Sequence, residues 1–162
     1  MTALQTLIDK LYEDDRIPSI EQAAYVLATV KHETAGTFLP IKEFGEGKGK
    51  KYGLQDPTTG QTYFGRGYVQ LTWAFNYERF TGLLGHDLVN NPDLALLPDV
   101  AYEIMIEGMI KGIFTGKKLS DYMNEDKTDY VGARRIINGT DKAELIAGYA
   151  KHFEDYLTEN WS

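Results

Sequence analysis

At 162 residues, with no cysteine and only three scattered histidines, the chain excludes a disulfide framework and a thiolate or histidine-cluster metal site, so neither metal nor cofactor is expected. A formal net charge of −7 opposes the neutralisation of phosphates and argues against a nucleic-acid binder. The length suits a single domain over residues 1–162; the N-terminus lacks a basic leader pattern and no run is long enough for a bilayer, so no secretory signal and no stable membrane insertion are expected.

Leu4, Leu7, Ile8 and Leu11 recur at spacings of three and four and predict an amphipathic helix ending near Asp14 and Asp15. Pro18 starts a new element, and Ser19 with Gln22 three residues on forms a capping-box pattern that opens a helix running to Glu33 or slightly beyond. Gly36 and Pro40 close it. The stretch from Gly45 to Gly60, GEGKGKKYGLQDPTTG, is too rich in glycine and turn formers for a buried element and reads as a long loop. A mixed stretch follows from Thr62 to Trp73. Helical patterns resume at Phe75–Leu84, Asp99–Gly112, Tyr130–Ile137 and Ala143–Leu157, giving a mainly α class.

Within the second helix, Ala23, Val26 and Val30 form an apolar stripe whose next member is Glu33. Burying an ionised carboxylate is costly, so such a group either finds a partner or keeps its proton, and a protonated carboxylic acid is what glycoside hydrolysis requires. A polar residue at a core edge in water is the plainer reading of the same position. Glu43 lies ten residues on, where the glycine-rich loop begins, with Glu46 three positions further. Two carboxylates across a glycosidic bond are the minimum equipment for its hydrolysis, although a solvated surface role is the default for either residue. The run Tyr63-Phe64-Gly65-Arg66-Gly67-Tyr68-Val69-Gln70-Leu71-Thr72-Trp73, followed by Asn76 and Tyr77, mixes aromatic faces that stack on sugars with short polar groups that bond hydroxyls or water. Buried aromatics at a turn are the alternative. Arg134 and Arg135 could brace an active-site carboxylate or cap a helix, and the sequence leaves both open.

Taken together and in this order, His32-Glu33-Thr34, Glu43, the Phe64-to-Thr72 run and Ile136-Ile137-Asn138-Gly139 resemble the family 19 glycoside hydrolases, most of all their compact phage endolysins. The resemblance covers roughly residues 20–157. It implies a lysozyme-like, family 19 chitinase-like helical domain with a small irregular or β-containing loop region beside an active-site cleft. It also assigns roles: Glu33 as the general acid, Glu43 as the general base with Glu46 in reserve, and Thr72 as the hydroxyl that helps hold the attacking water. His32, Tyr63, Arg66, Gln70, Asn76 and Asn138 are the implied substrate-side residues. The mechanism implied is inverting, which sets the two carboxyl groups roughly 6.5–9.5 Å apart. The Gly45–Gly60 loop would close over the saccharide, its glycines supplying the freedom.

The absence of cysteines and the short segment between Glu43 and Tyr63 depart from the plant chitinase pattern and favour the lysin branch. The expected function is therefore a peptidoglycan-degrading glycosidase of the lysozyme type, cutting β-1,4 bonds between amino sugars of the bacterial cell wall. It would act as a monomer, its partner the peptidoglycan, and accumulate in the host bacterial cytoplasm before release to the wall. A chitinase acting on β-1,4-N-acetylglucosamine polymers is the alternative, and a non-catalytic saccharide-binding module a third.

Overall fold

A computed structural model describes residues 1–161. Six α-helices and one two-stranded sheet are formed among them: α1 (Ala3–Glu13), α2 (Ile20–Glu33), β1 (Ile41–Lys42), β2 (Arg66–Gly67), α3 (Ala74–Leu84), α4 (Pro98–Lys111), α5 (Leu119–Tyr122) and α6 (Ala143–Asn160). Short 3-10 turns cover Lys51–Gly53, Pro92–Leu96 and Gly132–Ile136. The chain divides into two compact units, one of residues Met1–Phe38 with the segment from Glu107 onward, the other Leu39–Ile106. No described helix is long and apolar enough to cross a membrane.

In the first unit α2 is the central helix. Every residue from Gln22 to Val30 is buried, so the stripe read from Ala23, Val26 and Val30 is in fact a helix enclosed on all sides. Its alanines at 23, 24 and 28 allow close approach of α6, whose buried face is Ala143, Ile146, Ala150 and Leu157, and of α1, which contributes Leu7, Ile8 and Leu11. Each large aliphatic side chain buried in this way stabilises the fold by about 1.5–3 kcal/mol. The Ser19 hydroxyl accepts from the Gln22 backbone N–H at 3.2 Å, as the capping pattern predicts. The reciprocal half of the box is absent. Gln22 is buried, and its side-chain amide donates instead to the carbonyl of Met123 at 2.9 Å, because that carbonyl offers a buried partner.

The second unit is built around the sheet. β1 and β2 pair antiparallel, Ile41 opposite Gly67 and Lys42 opposite Arg66. Beyond β2 the chain turns back at once, and Arg66 and Leu71 exchange backbone hydrogen bonds at 3.1 and 2.8 Å. Arg66 is the pin of this unit. It is 4 % exposed, its Nε donates to Asp93 at 2.9 Å, its Nη1 donates to the carbonyl of Thr62 at 2.9 Å and to the Tyr77 hydroxyl at 3.1 Å, and its guanidinium covers the Phe64 ring at 3.8 Å. Burial pushes the Tyr77 phenol up to about 12, so it remains a neutral donor and gives its proton to the Phe64 carbonyl at 2.5 Å. The larger part of α4 belongs here, and its last turn, from Glu107, to the first unit. The predicted helices are present within one to three residues of their expected ends, except that the 130–137 pattern forms a 3-10 turn and that α5, only four residues long, carries no periodicity to announce it.

Candidate active site

Glu33 is the last residue of α2, and the residue after it explains why the helix stops there. Thr34, fully buried, gives its hydroxyl proton to the carbonyl of Val30 at 2.7 Å and accepts from the backbone N–H of Phe38 at 3.0 Å. A hydroxyl that serves both the helix and the chain leaving it holds the terminus rigid. Against this fixed end the Glu33 side chain, 18 % exposed, meets Arg134, whose Nη1 lies 3.3 Å from Oε1. Arg134 is 2 % exposed and is itself aimed by a 2.7 Å bond from Nε to the carbonyl of Asp141. The choice that the sequence leaves between the two arginines is thus decided: Arg134 braces the carboxylate, whereas Arg135 is exposed and reaches only the carbonyl of Gly132. Asn138 lies in the same unit, exposed, its backbone N–H bonded to the carbonyl of Arg134 at 2.9 Å. His32 occupies the last turn of α2 and is half-buried.

Glu43 leaves the end of β1 in the second unit, where its backbone N–H donates to the carbonyl of Gly65 at 2.7 Å. Both carboxylate oxygens are occupied by neutral donors: Oε1 accepts from the N–H of Gly65 at 3.1 Å and Oε2 from the Tyr52 hydroxyl at 2.9 Å. Partial burial and the bond to Glu43 raise the Tyr52 phenol above its ordinary value, which keeps it a proton donor. A methyl group on Gly65 would stand 2.7 Å from Oε1 of Gln70 and 3.2 Å from Oε1 of Glu43, so the glycine of the Phe-Gly-Arg-Gly run is the gap into which both side chains converge. Gln70 donates from its amide to the carbonyls of Ile41 and Gly67 at 3.0 and 2.9 Å, tying the turn to the strand that carries Glu43. The Thr72 hydroxyl donates to the carbonyl of Gln70 at 2.8 Å, and Asn76 donates to the carbonyl of Thr72 at 2.9 Å, its own Oδ1 buried and unpartnered.

Hydrogen bonding separates the two candidate bases. Lys42 lines a groove of about 440 Å³ together with Glu46, Phe64, Arg66 and Asp93, and the exposed Glu46 side chain makes a 3.9 Å contact to Lys42. Glu43 is held by short hydrogen bonds and Glu46 is not.

Two expected substrate-side residues are turned inward. Tyr63 is 4 % exposed, and its hydroxyl donates to the carbonyl of Val89 and sits 2.8 Å from the Thr59 hydroxyl. Arg66 is spent on the bonds described above. Both hold the sheet in shape, since a buried polar group is retained where it finds partners inside. Within the stretch from Tyr63 to Tyr77 the aromatics that face outward are Trp73, 42 % exposed, and Phe75, 57 % exposed, their rings stacked at 6.2 Å, with the Tyr52 ring at a steep angle to Trp73 at 5.4 Å. Tyr52 has no signal in spacing that would find it. The glycine-rich segment is irregular as expected, but its glycines serve close packing as well as freedom: at Gly47 a methyl group would lie 2.9 Å from Cα of Gly53. Among the described residues no group of three or more His, Asp or Glu is placed to hold a metal ion.

The curated relatives of this chain carry chitinase names. It is 37 % identical over 105 residues to endochitinase 1 of Theobroma cacao, covering 56 % of this chain and 32 % of that protein, and 54 % identical over 35 residues to inactive chitinase-like protein 1 of Hevea brasiliensis, covering 22 % of this chain and 11 % of that one. The chain therefore spans about a third or less of the length of the curated relatives it matches. Among solved structures, chitinase C from Streptomyces griseus superposes with a TM-score of 0.60 at 20 % identity, over 96 % of this chain and 67 % of that one. The mainly helical fold with its small sheet is thus the lysozyme-like fold of the family 19 chitinases. The family profile described as chitinase class I matches residues 13–107, more than half of the sequence, and on that match the chain belongs to glycoside hydrolase family 19.

Proposed function

We propose that this chain hydrolyses β-1,4 bonds in polymers of N-acetylated amino sugars, with chitin-type oligomers as the first substrate. The observation that carries the reading is the pair of unlike carboxylates: Glu33 braced by the buried Arg134, and Glu43 oriented by Gly65 and Tyr52 without a counter-charge. In this reading Glu33 gives a proton to the leaving oxygen, and Arg134 balances the carboxylate that remains. Glu43 takes a proton from a water that Thr72 helps to hold, and the water attacks from the opposite face of the sugar with inversion. Gln70 and Asn76 hold the turn that presents Thr72, Asn138 bonds the saccharide, His32 supports Glu33, and the outward faces of Trp73 and Phe75 supply stacking.

The endochitinase names of the relatives favour chitin over the bacterial wall. Peptidoglycan is kept as the second substrate on one observation: Lys48, Lys50 and Lys51 are all exposed on the segment that follows Glu43, where an anionic wall would meet them despite the acidic total. A phage origin, action as a monomer and a location in the host cytoplasm before release go with that second reading.

Chitin hexaose and permeabilised bacterial cells are the paired substrates for the test, with wild type beside Glu33→Gln and Glu43→Gln. Loss of about 10²–10⁴-fold in kcat is expected for each variant, and proton NMR of the first product is expected to show the inverted anomer. A wild type that binds chitin oligomers and cleaves neither substrate would put the chain with its inactive relative and overturn the reading.

A further inference from the structure

The ten residues that follow Glu43 form a chain of overlapping turns. The N–H groups of Glu46, Lys48, Lys50 and Gly53 donate to the carbonyls of Glu43, Gly45, Gly47 and Lys50 at 2.9–3.0 Å. This coil is drawn tight where Gly47 meets Gly53. A methyl on Gly53 would overlap the carbonyl of Gly47, and one on Gly47, which has φ +73°, would press on Cα of Gly53 and on the Tyr52 ring at 2.9 and 3.2 Å. The consequence is local and directional. The chain is bent back until Tyr52, nine residues from Glu43, places its hydroxyl 2.9 Å from Oε2. On its other side the Tyr52 ring meets the edge of Trp73 at 5.4 Å, and Trp73 is a non-glycine residue at φ +76°, a conformation that costs about 1–3 kcal/mol and persists only where the surroundings impose it. A glycine–glycine contact on one flank and a strained tryptophan on the other both converge on one phenol.

We propose that the segment Phe44–Gly53 is a clamp that delivers the Tyr52 hydroxyl to Glu43, which makes Tyr52 the positioning residue of the base. The proposal rests on the reading of Glu43 as that base. The clamp replaces the expectation of a loop that closes over the saccharide, because the glycines at its neck are used for contact. Glu43 has three rotatable bonds and stands at a strand end; Gly65 alone would anchor one oxygen and leave the other free to swing. The Tyr52 hydroxyl fixes the second oxygen and adds no positive charge, so the carboxylate is aimed yet still able to take a proton from water.

Four proteins test this: wild type, Tyr52→Phe, Glu43→Gln and the double variant, with Gly53→Ala as an independent way to open the clamp. On chitin hexaose, Tyr52→Phe and Gly53→Ala are expected to lower kcat by about 10–100-fold, the worth of one hydrogen bond to a charged group, with KM within about twofold of wild type. The low-pH limb of the kcat profile is expected to move upward in Tyr52→Phe, which a merely structural tyrosine would not produce. Thermal melts of the same four proteins read the contact without activity, and non-additivity of the two substitutions is expected. An active wild type with kcat and pH profile unchanged in Tyr52→Phe overturns the positioning role and leaves the glycosidase reading standing. Melt coupling in a wild type that cleaves no amino-sugar polymer overturns both, because the contact would then be structural only.

Discussion

Glu33 ends a helix of 14 residues and meets a full positive charge; Glu43 follows a strand of two residues and meets only neutral donors. Regular structure does most of the work in the first case. α2 is enclosed by its unit, Thr34 locks its terminus, and one buried arginine completes the setting. In the second case the scaffold is too short to position anything by itself, so a coil of turns, a glycine gap and a cross-linking glutamine substitute for length. A carboxylate can therefore be aimed by a rigid element with a counter-ion or by many weak neutral contacts. The two solutions leave the carboxylates in different charge settings, one beside a cation and one among neutral donors.

That contrast is broken most severely at Arg134. Arg134→Ala removes a side chain that is 2 % exposed and leaves Glu33 without its counter-charge and the carbonyl of Asp141 without its donor, and a loss of about 3–5 kcal/mol is expected in chemical denaturation. A loss below about 1 kcal/mol would mean that water replaces the guanidinium and that the brace is a surface contact. In the second unit the corresponding stress falls on the Arg66 pin. Tyr77→Phe removes the donor to the Phe64 carbonyl and the acceptor of the Arg66 bond, with an expected cost of about 1–3 kcal/mol.

Tyr25 sharpens the comparison with the opposite sign. It stacks on Tyr130 at 6.2 Å in the first unit, fully buried, and its hydroxyl is unpartnered; the neighbouring Thr29 hydroxyl gives its own proton to the Tyr25 backbone carbonyl at 3.0 Å. Burial raises the phenol, so it stays neutral and simply pays for lost water. Tyr25→Phe is expected to be neutral or to stabilise by up to about 1 kcal/mol, read as a rise in Tm, where the chemically identical change at Tyr77 lowers it.

The smallest effect concerns acid. The bond from Lys111, and then that from Arg16, hold the Glu107 carboxyl below its ordinary value of 4.5. A depressed carboxyl stabilises the fold above the unfolded value and loses that contribution as pH falls through the folded one. Wild type should therefore lose Tm below about pH 4.5 more steeply than Glu107→Gln, while the two differ only slightly at neutral pH. Parallel curves would show that these exposed pairs carry nothing.

Particular residues show what was legible in advance. The periodicity of Leu7, Ile8 and Leu11, the Ser19 cap and the stop after Glu33 follow from local rules and are present as read. The motif order sufficed for the family, and the placement of Glu43 before an irregular glycine-rich segment was visible as well. For Tyr63 and Arg66 the sequence leaves the side chain's direction open, because an aromatic or a cation in a motif looks the same whether it faces a sugar or the interior, and their partners Val89, Asp93 and Tyr77 come only from the structure. The substrate named first from the sequence is the bacterial wall, on departures from the plant pattern, whereas the curated relatives carry endochitinase names.

Local chemistry in the sequence determined the helices, their ends, the helical class and the two carboxylates, because caps, periods and turn formers act over a few residues. Tertiary structure alone decided that Arg134 serves Glu33 across 101 positions, that Gln22 forsakes its cap for Met123 and that Tyr52 returns to Glu43. Those are pairings of polar groups brought together by burial and chain reversal, and a buried donor takes whichever acceptor the packed core leaves nearest, whatever its distance in sequence.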